Sequence, residues 1–247
     1  MPPGPLRGIF PPHSEDSQMQ LTSVNIGTER TQPKGMGFEM TGIYKLPARG
    51  SVEVTQLGIV GDFVADQANH GGPDQAVYVY GTEDYEWWSA ALGRRLLPGT
   101  FGENLTVSGL ASADFNIGDR LQIGSVILEV TAPRSPCGTF SRRMGDPLFV
   151  KKFRRAERPG LYCRVIQAGA VHAGHPVGLR SAKEHPVGVL ELFRQYHDRH
   201  KDEAALRRFL GAPIAIRDRE IIERELRRMP SRGSLVRGSK SSTDDEI

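Results

Sequence analysis

Residues 126–138 read VILEVTAPRSPCG, an apolar run that ends in a proline-rich loop. The first six residues, Val126 to Thr131, are apolar or β-branched at all positions but one, and this pattern predicts a buried strand. Two prolines, a serine and a glycine then exclude regular structure. The stretch is therefore expected to present Cys137 on a rigid loop beyond a strand end, three residues after Arg134.

Cys137 is a candidate soft metal ligand or nucleophile. The thiolate is the form of cysteine that binds metals and attacks electrophiles, and a neighbouring guanidinium favours it. The residues alone leave open a second interpretation, an inert buried thiol, which is typical of free cysteines. Cys163 lies in an apolar run and is predicted to be such a packing residue. Because the chain has only two cysteines, a disulfide scaffold is not expected and a reducing compartment is the default.

The chain around this loop consists of short strand-like runs separated by glycines. The 28 glycines and 17 prolines favour turns and strands over a helical bundle. Two helices are predicted in this part, over 83–92 and 146–156. The strand-like runs are 19–27, 41–45, 51–55, 75–80, 101–107, 117–124, 126–131, 160–166 and 174–179. This pattern predicts a mainly β, α+β fold, a mostly antiparallel barrel with a few peripheral helices.

The pattern changes at about residue 183, where apolar residues begin to recur at helical spacing. Helices are predicted over 187–197, 202–210 and 214–229. We therefore expect a barrel domain over 19–182 and a small three-helix C-terminal domain over 183–229. The remaining segments, 1–18 and 230–247, are rich in proline, glycine, serine or charge and are predicted to be a disordered lead and a disordered tail.

Charge and motif content argue against several function classes. The net charge of +3 is mild, and the arginine-rich segments lack interleaved aromatic residues, so nucleic-acid binding is not predicted. No run approaches the roughly 20 apolar residues that cross a bilayer, and no signal pattern is present, so a cytoplasmic protein without a membrane partner is expected. Cys-x-x-Cys, H-E-x-x-H, Walker and G-x-S-x-G motifs do not occur.

Polar residues cluster at four predicted strand ends. They supply hydrogen-bond donors that suit a phosphate or a pterin-like ligand, together with one soft metal ligand. Each cluster also has a purely structural interpretation, as a solvated strand end, a turn cap or a stabilised loop. The four clusters are Thr41 with Lys45, His70 with Asp74, Glu103 with Asn104, and Arg134 with Cys137.

Six segments in order resemble the MOSC family, the molybdenum cofactor sulfurase C-terminal domains. They are T-G-I-Y-K from 41, L-G-I-V-G-D from 57, H-G-G-P-D-Q-A-V-Y from 70, F-G-E-N-L-T-V-S-G-L from 101, I-G-D-R-L from 117 and P-R-S-P-C from 133. The resemblance covers about residues 19–229 and favours the YiiM-like branch, which adds a three-helix C-terminal domain. Each segment alone is weak, but six in one order are specific.

The resemblance implies a barrel-rich fold with the cysteine at a pocket mouth. It implies a molybdenum cofactor (molybdopterin) bound through Cys137 as the metal ligand, and pyridoxal phosphate binding as a further family-level property. Gln75 stands where the family often has a basic residue, which puts an anion contact there in doubt. Carried onto this chain, the cofactor or substrate contacts are Thr41, Lys45, His70, Asp74, Asn104 and Arg134.

The implied activity is reduction of a small N-hydroxylated compound, such as a hydroxylaminopurine or an amidoxime, to the amine, with His70 as a proton donor beside Cys137. Because no iron–sulfur or nucleotide-binding pattern occurs, an external flavoprotein reductase is expected to deliver electrons. The C-terminal helices either dock this reductase or cover one end of the barrel. A monomer or homodimer is expected. The alternatives are a sulfur carrier with a Cys137 persulfide and a non-catalytic cofactor carrier.

Overall fold

The computed structural model describes residues 19–182 and 186–229, except the side chains of residues 68 and 69, so the predicted disorder of 1–18 and 230–247 lies outside the described residues. The strands are β1 (Gln20–Gly27), β2 (Arg30–Lys34), β3 (Gly37–Thr41), β4 (Lys45–Pro47), β5 (Val52–Thr55), β6 (Gly58–Ile59), β7 (Val77–Gly81), β8 (Leu105–Ser108), β9 (Arg120–Ile123), β10 (Val126–Pro133), β11 (Leu161–Gln167), β12 (Gly169–Val171) and β13 (Val177–Arg180). The helices are α1 (Gln67–His70), α2 (Thr82–Leu92), α3 (Gly138–Met144), α4 (Phe149–Ala156), α5 (Val189–His197), α6 (Glu203–Leu210) and α7 (Ile216–Arg228).

Eight strands form one large sheet in the order β13-β9-β10-β11-β7-β8-β1-β4. Adjacent strands of this sheet pair antiparallel, except β7 and β8, which pair parallel. The sheet curls, because the Leu21 amide donates to the His175 carbonyl and a single bridge joins Gln20 to Pro176. Within the described residues no continuous ladder joins β1 to β13, so the barrel is not closed. The mainly β, α+β prediction is confirmed.

One apolar core fills the curled sheet and continues into the C-terminal helices. Leu121 and Val130 of the sheet are fully buried in the same cluster as Leu192 of α5, Leu206 of α6 and Ile222 of α7. Burial of each such side chain contributes about 1.5–3 kcal/mol relative to exposure. The three helices therefore pack directly on the sheet, and the division of the chain near residue 183 stays a prediction. In the described part of the chain, no helix is both long and apolar enough to span a membrane.

A second, aromatic cluster supports the loop after β10. The Phe101 ring stacks on Tyr80 with centroids 4.6 Å apart, and Phe140 meets Phe149 and Phe153 edge-on at 5.0 and 5.1 Å. Aromatic pairs in these arrangements add about 0.5–1.5 kcal/mol beyond their burial. Because Phe140 belongs to α3, this cluster holds the helix that begins directly after Cys137.

All five helices predicted from periodicity are present as α2, α4, α5, α6 and α7. The strand predicted over 41–45 is wrong, because β3 ends at Thr41 and β4 begins at Lys45. Between them, Gly42 lies so close to the backbone oxygen of Phe63 that a Cβ would sit 1.7 Å from it. The β2–β3 hairpin and helix α3 were not predicted, because glycines interrupt the hairpin and α3, with seven residues, is too short to show a clear helical period.

Candidate functional site

A cavity of about 1050 Å³ lies at the carboxyl end of β10. Its walls are the 133–139 loop, the β2–β3 hairpin, the 62–66 segment with His70, and helices α5 and α7. The predicted site residues that line this cavity are Thr41, Lys45, His70, Asn104, Arg134 and Cys137. Residues from four separate sequence segments are thus brought together at this cavity.

Cys137 is half-buried and stands at the N-cap position of α3, with an extended backbone (φ −126°). Burial raises the pKa of its thiol, but the hydrogen bond with His70, the charges of Arg134 and His70, and the Phe140 backbone N–H outweigh burial and lower the pKa to about 6. At neutral pH the sulfur is therefore mainly thiolate, the form that binds a soft metal.

Arg134 provides a buried positive charge beside this thiolate. Its side chain lies between the rings of Tyr78 and Phe140, with centroid distances of 5.0 and 4.4 Å, and Nη1 donates to the carbonyl of Phe101. Burial opposes the charge, but the interactions with Tyr162, Tyr78 and Cys137 raise the pKa of the guanidinium. Nε is buried and has no hydrogen-bond partner among the described residues, so this wall retains one unused donor.

Lys45 and Asn104 belong to one buried polar cluster centred on Asp62. Lys45 forms an ion pair with Asp62, and Asn104 Nδ2 donates to the same carboxylate at 2.8 Å. The Gly27 amide also donates to Asp62, at 2.7 Å. Burial lowers the pKa of Lys45, and Asp62 acts in the opposite direction. Asp62 was not singled out from the sequence, although it ends the L-G-I-V-G-D segment.

Thr41 and Asp74 are placed differently from each other. Thr41 is buried at the cavity wall, where its Oγ1 accepts a hydrogen bond from the Ile43 amide at 3.1 Å. Asp74 is not among the described residues that line the cavity. Its carboxylate accepts from the amide of Ile216, the first residue of α7, at 2.7 Å and pairs with Arg164 at 3.0 Å. Its position supports an anchoring function for α7, and its cofactor contact stays a prediction.

Glu39 ties the β2–β3 hairpin to the helix that follows Cys137. Its carboxylate accepts hydrogen bonds from Arg142, from Thr139 at 2.9 Å and from Gln32 at 2.6 Å. Burial raises the pKa of Glu39, but these bonds and one from Lys34 outweigh burial and lower it to about 2. Glu39 was missed from the sequence, because its partners on α3 lie about a hundred residues away.

The opposite wall comes from the C-terminal helices. Gln195 and Tyr196 of α5 line the cavity together with Asp218 and Ile221 of α7. Tyr196 Oη donates to Asp218 at 2.7 Å and so joins the two helices. Burial raises the pKa of the Asp218 carboxyl, while the hydrogen bond from Tyr196 and the charge of Arg217 act against burial. No sequence pattern distinguished these residues from ordinary helix positions.

The residues at this cavity fit a molybdenum cofactor. Such a group needs a soft ligand for its metal and hydrogen-bond donors for its phosphate and pterin. The Cys137 thiolate meets the first requirement. The unpartnered Nε of Arg134 and the cavity-lining side chains of Thr41 and Asn104 meet the second.

Comparisons with known proteins identify the family to which this chain is similar. Residues 66–178 match the model of the MOSC domain. The chain is 36% identical over 199 residues to the Uncharacterized protein YflK of Bacillus subtilis, and this alignment covers 80% of this chain and 89% of that protein. It is 29% identical over 212 residues to a protein of Gibberella moniliformis named Reductase, covering 84% of this chain and 38% of that protein. The crystal structure of YiiM from Geobacillus stearothermophilus aligns with a TM-score of 0.70 and 26% identity, over 84% of this chain and 99% of that chain.

Proposed function

Because the chain belongs to the MOSC domain family, we propose that it binds a molybdenum cofactor through Cys137 and reduces N-hydroxylated compounds to amines. One observation carries the proposal: a cysteine with a pKa of about 6 faces a large cavity, in contact with an imidazole and beside a buried guanidinium. The fungal relative named Reductase supports oxidoreductase chemistry in general terms.

In this proposal, the side chains of the cavity wall have different functions. Cys137 holds the metal, and Arg134 and His70 keep its sulfur ionised. Asp62 orients Lys45 and Asn104 toward one another, so these side chains present a pre-arranged polar surface. When bound, the molybdenum cofactor supplies two-electron redox chemistry with an acceptor for oxygen.

The overall reaction converts one N–OH group, two electrons and two protons into one N–H group and one water. His70 lines the cavity and contacts Cys137, so its imidazole is within reach of a group bound there. An imidazole can release and regain a proton through its two ring nitrogens, which suits delivery of a proton to the leaving hydroxyl. The electrons are supplied by an external flavoprotein reductase.

The test begins with protein produced in a host that makes molybdopterin. Elemental analysis is expected to give close to one molybdenum atom per chain. The loaded protein, with a chemically reduced dye as electron donor, is then expected to convert benzamidoxime and hydroxylaminopurine to their amines. Loaded protein without turnover would exclude the reductase and leave the non-catalytic cofactor carrier.

The low pKa of Cys137 also favours a second candidate, sulfur transfer. A thiolate can attack a sulfane sulfur, which breaks an S–S bond, releases the remaining polysulfide and leaves a persulfide on the cysteine. A second nucleophile then attacks the outer sulfur and releases the cysteine thiolate. Mass spectrometry of protein exposed to a polysulfide separates the two candidates. An added sulfur on Cys137 that is passed to an acceptor thiol, in protein that takes up no molybdenum, supports sulfur transfer.

A further inference from the structure

The C-terminal helices do more than cover one end of the sheet, because they form a wall of the cavity that contains Cys137. Helix α7 is attached to the strand that leads to that cysteine: the Ala215 amide donates to the Thr131 carbonyl at 3.1 Å. The helical wall is therefore attached to the strand that leads to the Cys137 loop.

Gln195 is the unusual residue of this wall. It lines the cavity and is only 9% exposed, yet its Nε2 is buried without a hydrogen-bond partner among the residues that the structure describes. A buried amide donor is normally paired, and an unpaired one in a folded protein calls for an explanation. A ligand that carries an acceptor provides one.

The position of Gln195 is well determined. Its backbone carbonyl accepts a hydrogen bond from Lys201, and the next residue, Tyr196, is joined to Asp218 at 2.7 Å. The amide therefore sits on a helix that is held on both sides. Because the Gln195 side chain is also only 9% exposed, it has few alternative rotamers and loses little entropy when a ligand binds.

The neighbours of Gln195 define the kind of ligand. Ile221 of α7, of which 42% is exposed, adds apolar surface to the same wall, and Leu192 and Ile222 lie beneath it in the apolar core. The charged residues of this wall are of both signs, Lys201 and Arg217 against Asp218 and Glu225. An apolar surface with balanced charge and one donor suits an uncharged, flat organic ring that carries a hydrogen-bond acceptor.

We propose that Gln195 is the substrate-recognition residue of this cavity and donates a hydrogen bond from Nε2 to a ring nitrogen or carbonyl oxygen of an uncharged heterocyclic substrate. The C-terminal helices thus supply substrate specificity, while the β10–α3 loop supplies the metal ligand. The inference rests on the proposed function, from which it takes the cavity as the substrate site, the cofactor-loaded state and the amine products used as probes.

The experiment measures binding of two amines by calorimetry to the cofactor-loaded protein. Adenine carries ring-nitrogen acceptors and aniline carries none. Gln195→Met preserves the length of the side chain and removes the donor, and Gln195→Glu preserves its shape and replaces the donor by an acceptor. The matched control is Gln167→Met at the exposed end of β11.

Both Gln195 variants are expected to weaken adenine binding by about 3- to 10-fold, the range for one neutral hydrogen bond. Binding of aniline and the properties of Gln167→Met are expected to stay unchanged. The melting temperature of Gln195→Met should not fall, since the donor it removes has no described partner. Equal adenine affinity in wild type and Gln195→Met, a loss shared by aniline, or no adenine binding by the wild type overturns the inference.

Turnover of benzamidoxime is measured on the same samples, so the two proposals fail separately. Turnover together with adenine binding that does not depend on Gln195 contradicts the recognition residue and leaves the reductase intact. Gln195-dependent adenine binding in a loaded protein that reduces neither N-hydroxylated compound contradicts the reductase and supports the recognition residue.

Discussion

The two cysteines of this chain occupy the loop after β10 and the neighbouring strand β11, and they differ in chemistry rather than in burial alone. Cys163 is fully buried and Cys137 is half-buried, and burial raises the pKa of each thiol. Cys163 is fully buried opposite Val77 and Val130, and beyond burial only the charge of Glu129 acts on it, so its pKa is raised. Cys137 has His70 and Arg134 beside it, and its pKa falls to about 6. The side chains beside each thiol, and not its burial alone, therefore decide which cysteine is reactive.

The largest expected contrast is in metal content. Cys137→Ser is expected to lose nearly all bound molybdenum, because it removes the proposed soft ligand, whereas Cys163→Ser should keep it. Elemental analysis of both variants, purified from a host that makes molybdopterin, measures the contrast. Equal metal content in the two proteins would count against Cys137 as the ligand.

Thiol reactivity gives the next contrast. In cofactor-free folded protein, iodoacetamide is expected to modify Cys137 at a rate that follows an apparent pKa near 6, while Cys163 stays unmodified. Peptide mapping by mass spectrometry assigns the label to each residue. In denaturant both cysteines should react alike, which serves as the control. Comparable labelling of both residues in the folded protein would remove the distinction between them.

The pH dependence of stability sharpens the same comparison. The pKa of Cys137 falls from 9.0 to about 6 on folding, so between these values the unfolded chain holds a proton that the folded chain has released. The free energy of unfolding should therefore rise with pH across this window. The contribution of Cys137 to stability should be fully present above pH 9.0 and should be lost as the pH falls through about 6. The gain is on the order of 1–4 kcal/mol.

Chemical denaturation of cofactor-free wild type and Cys137→Ser at several pH values measures this gain. The stability difference between the two proteins should widen toward high pH. Parallel pH profiles would mean that the thiol pKa does not change on folding.

The smallest effect concerns the partner on α1. His70→Ala removes the hydrogen bond to the thiolate, and the pKa of Cys137 should rise by about one unit. Ultraviolet titration of the thiolate measures the shift, with His172→Ala, at an exposed turn histidine, as the control. An unchanged titration in His70→Ala would assign the low pKa to Arg134 and the helix terminus alone.

Much of the site was predictable because it lies in short segments with strong local character. Proline and glycine made the Cys137 loop recognisable, and ordered motifs located Lys45, His70 and Asn104. Asp62 was inside one of those motifs but was not singled out, since its importance comes from Lys45 and Asn104 meeting on its carboxylate. Asp74 belongs to one of the motifs but contacts α7 instead of lining the cavity. The residues around it in the sequence do not show whether its side chain faces the cavity or the helix.

The amino-acid sequence by itself determined the strand-rich fold, the helical C-terminal region and the placing of a cysteine on a stiff loop, because periodicity, prolines and glycines act over a few residues. Only the tertiary structure decided that His70 and Arg134 ionise this cysteine and that Glu39 accepts hydrogen bonds from α3. It also decided that α5, with Gln195, and α7 form a wall of the cavity. These relations join residues far apart in the chain, and their energies depend on distance and burial, which exist only once the chain is folded.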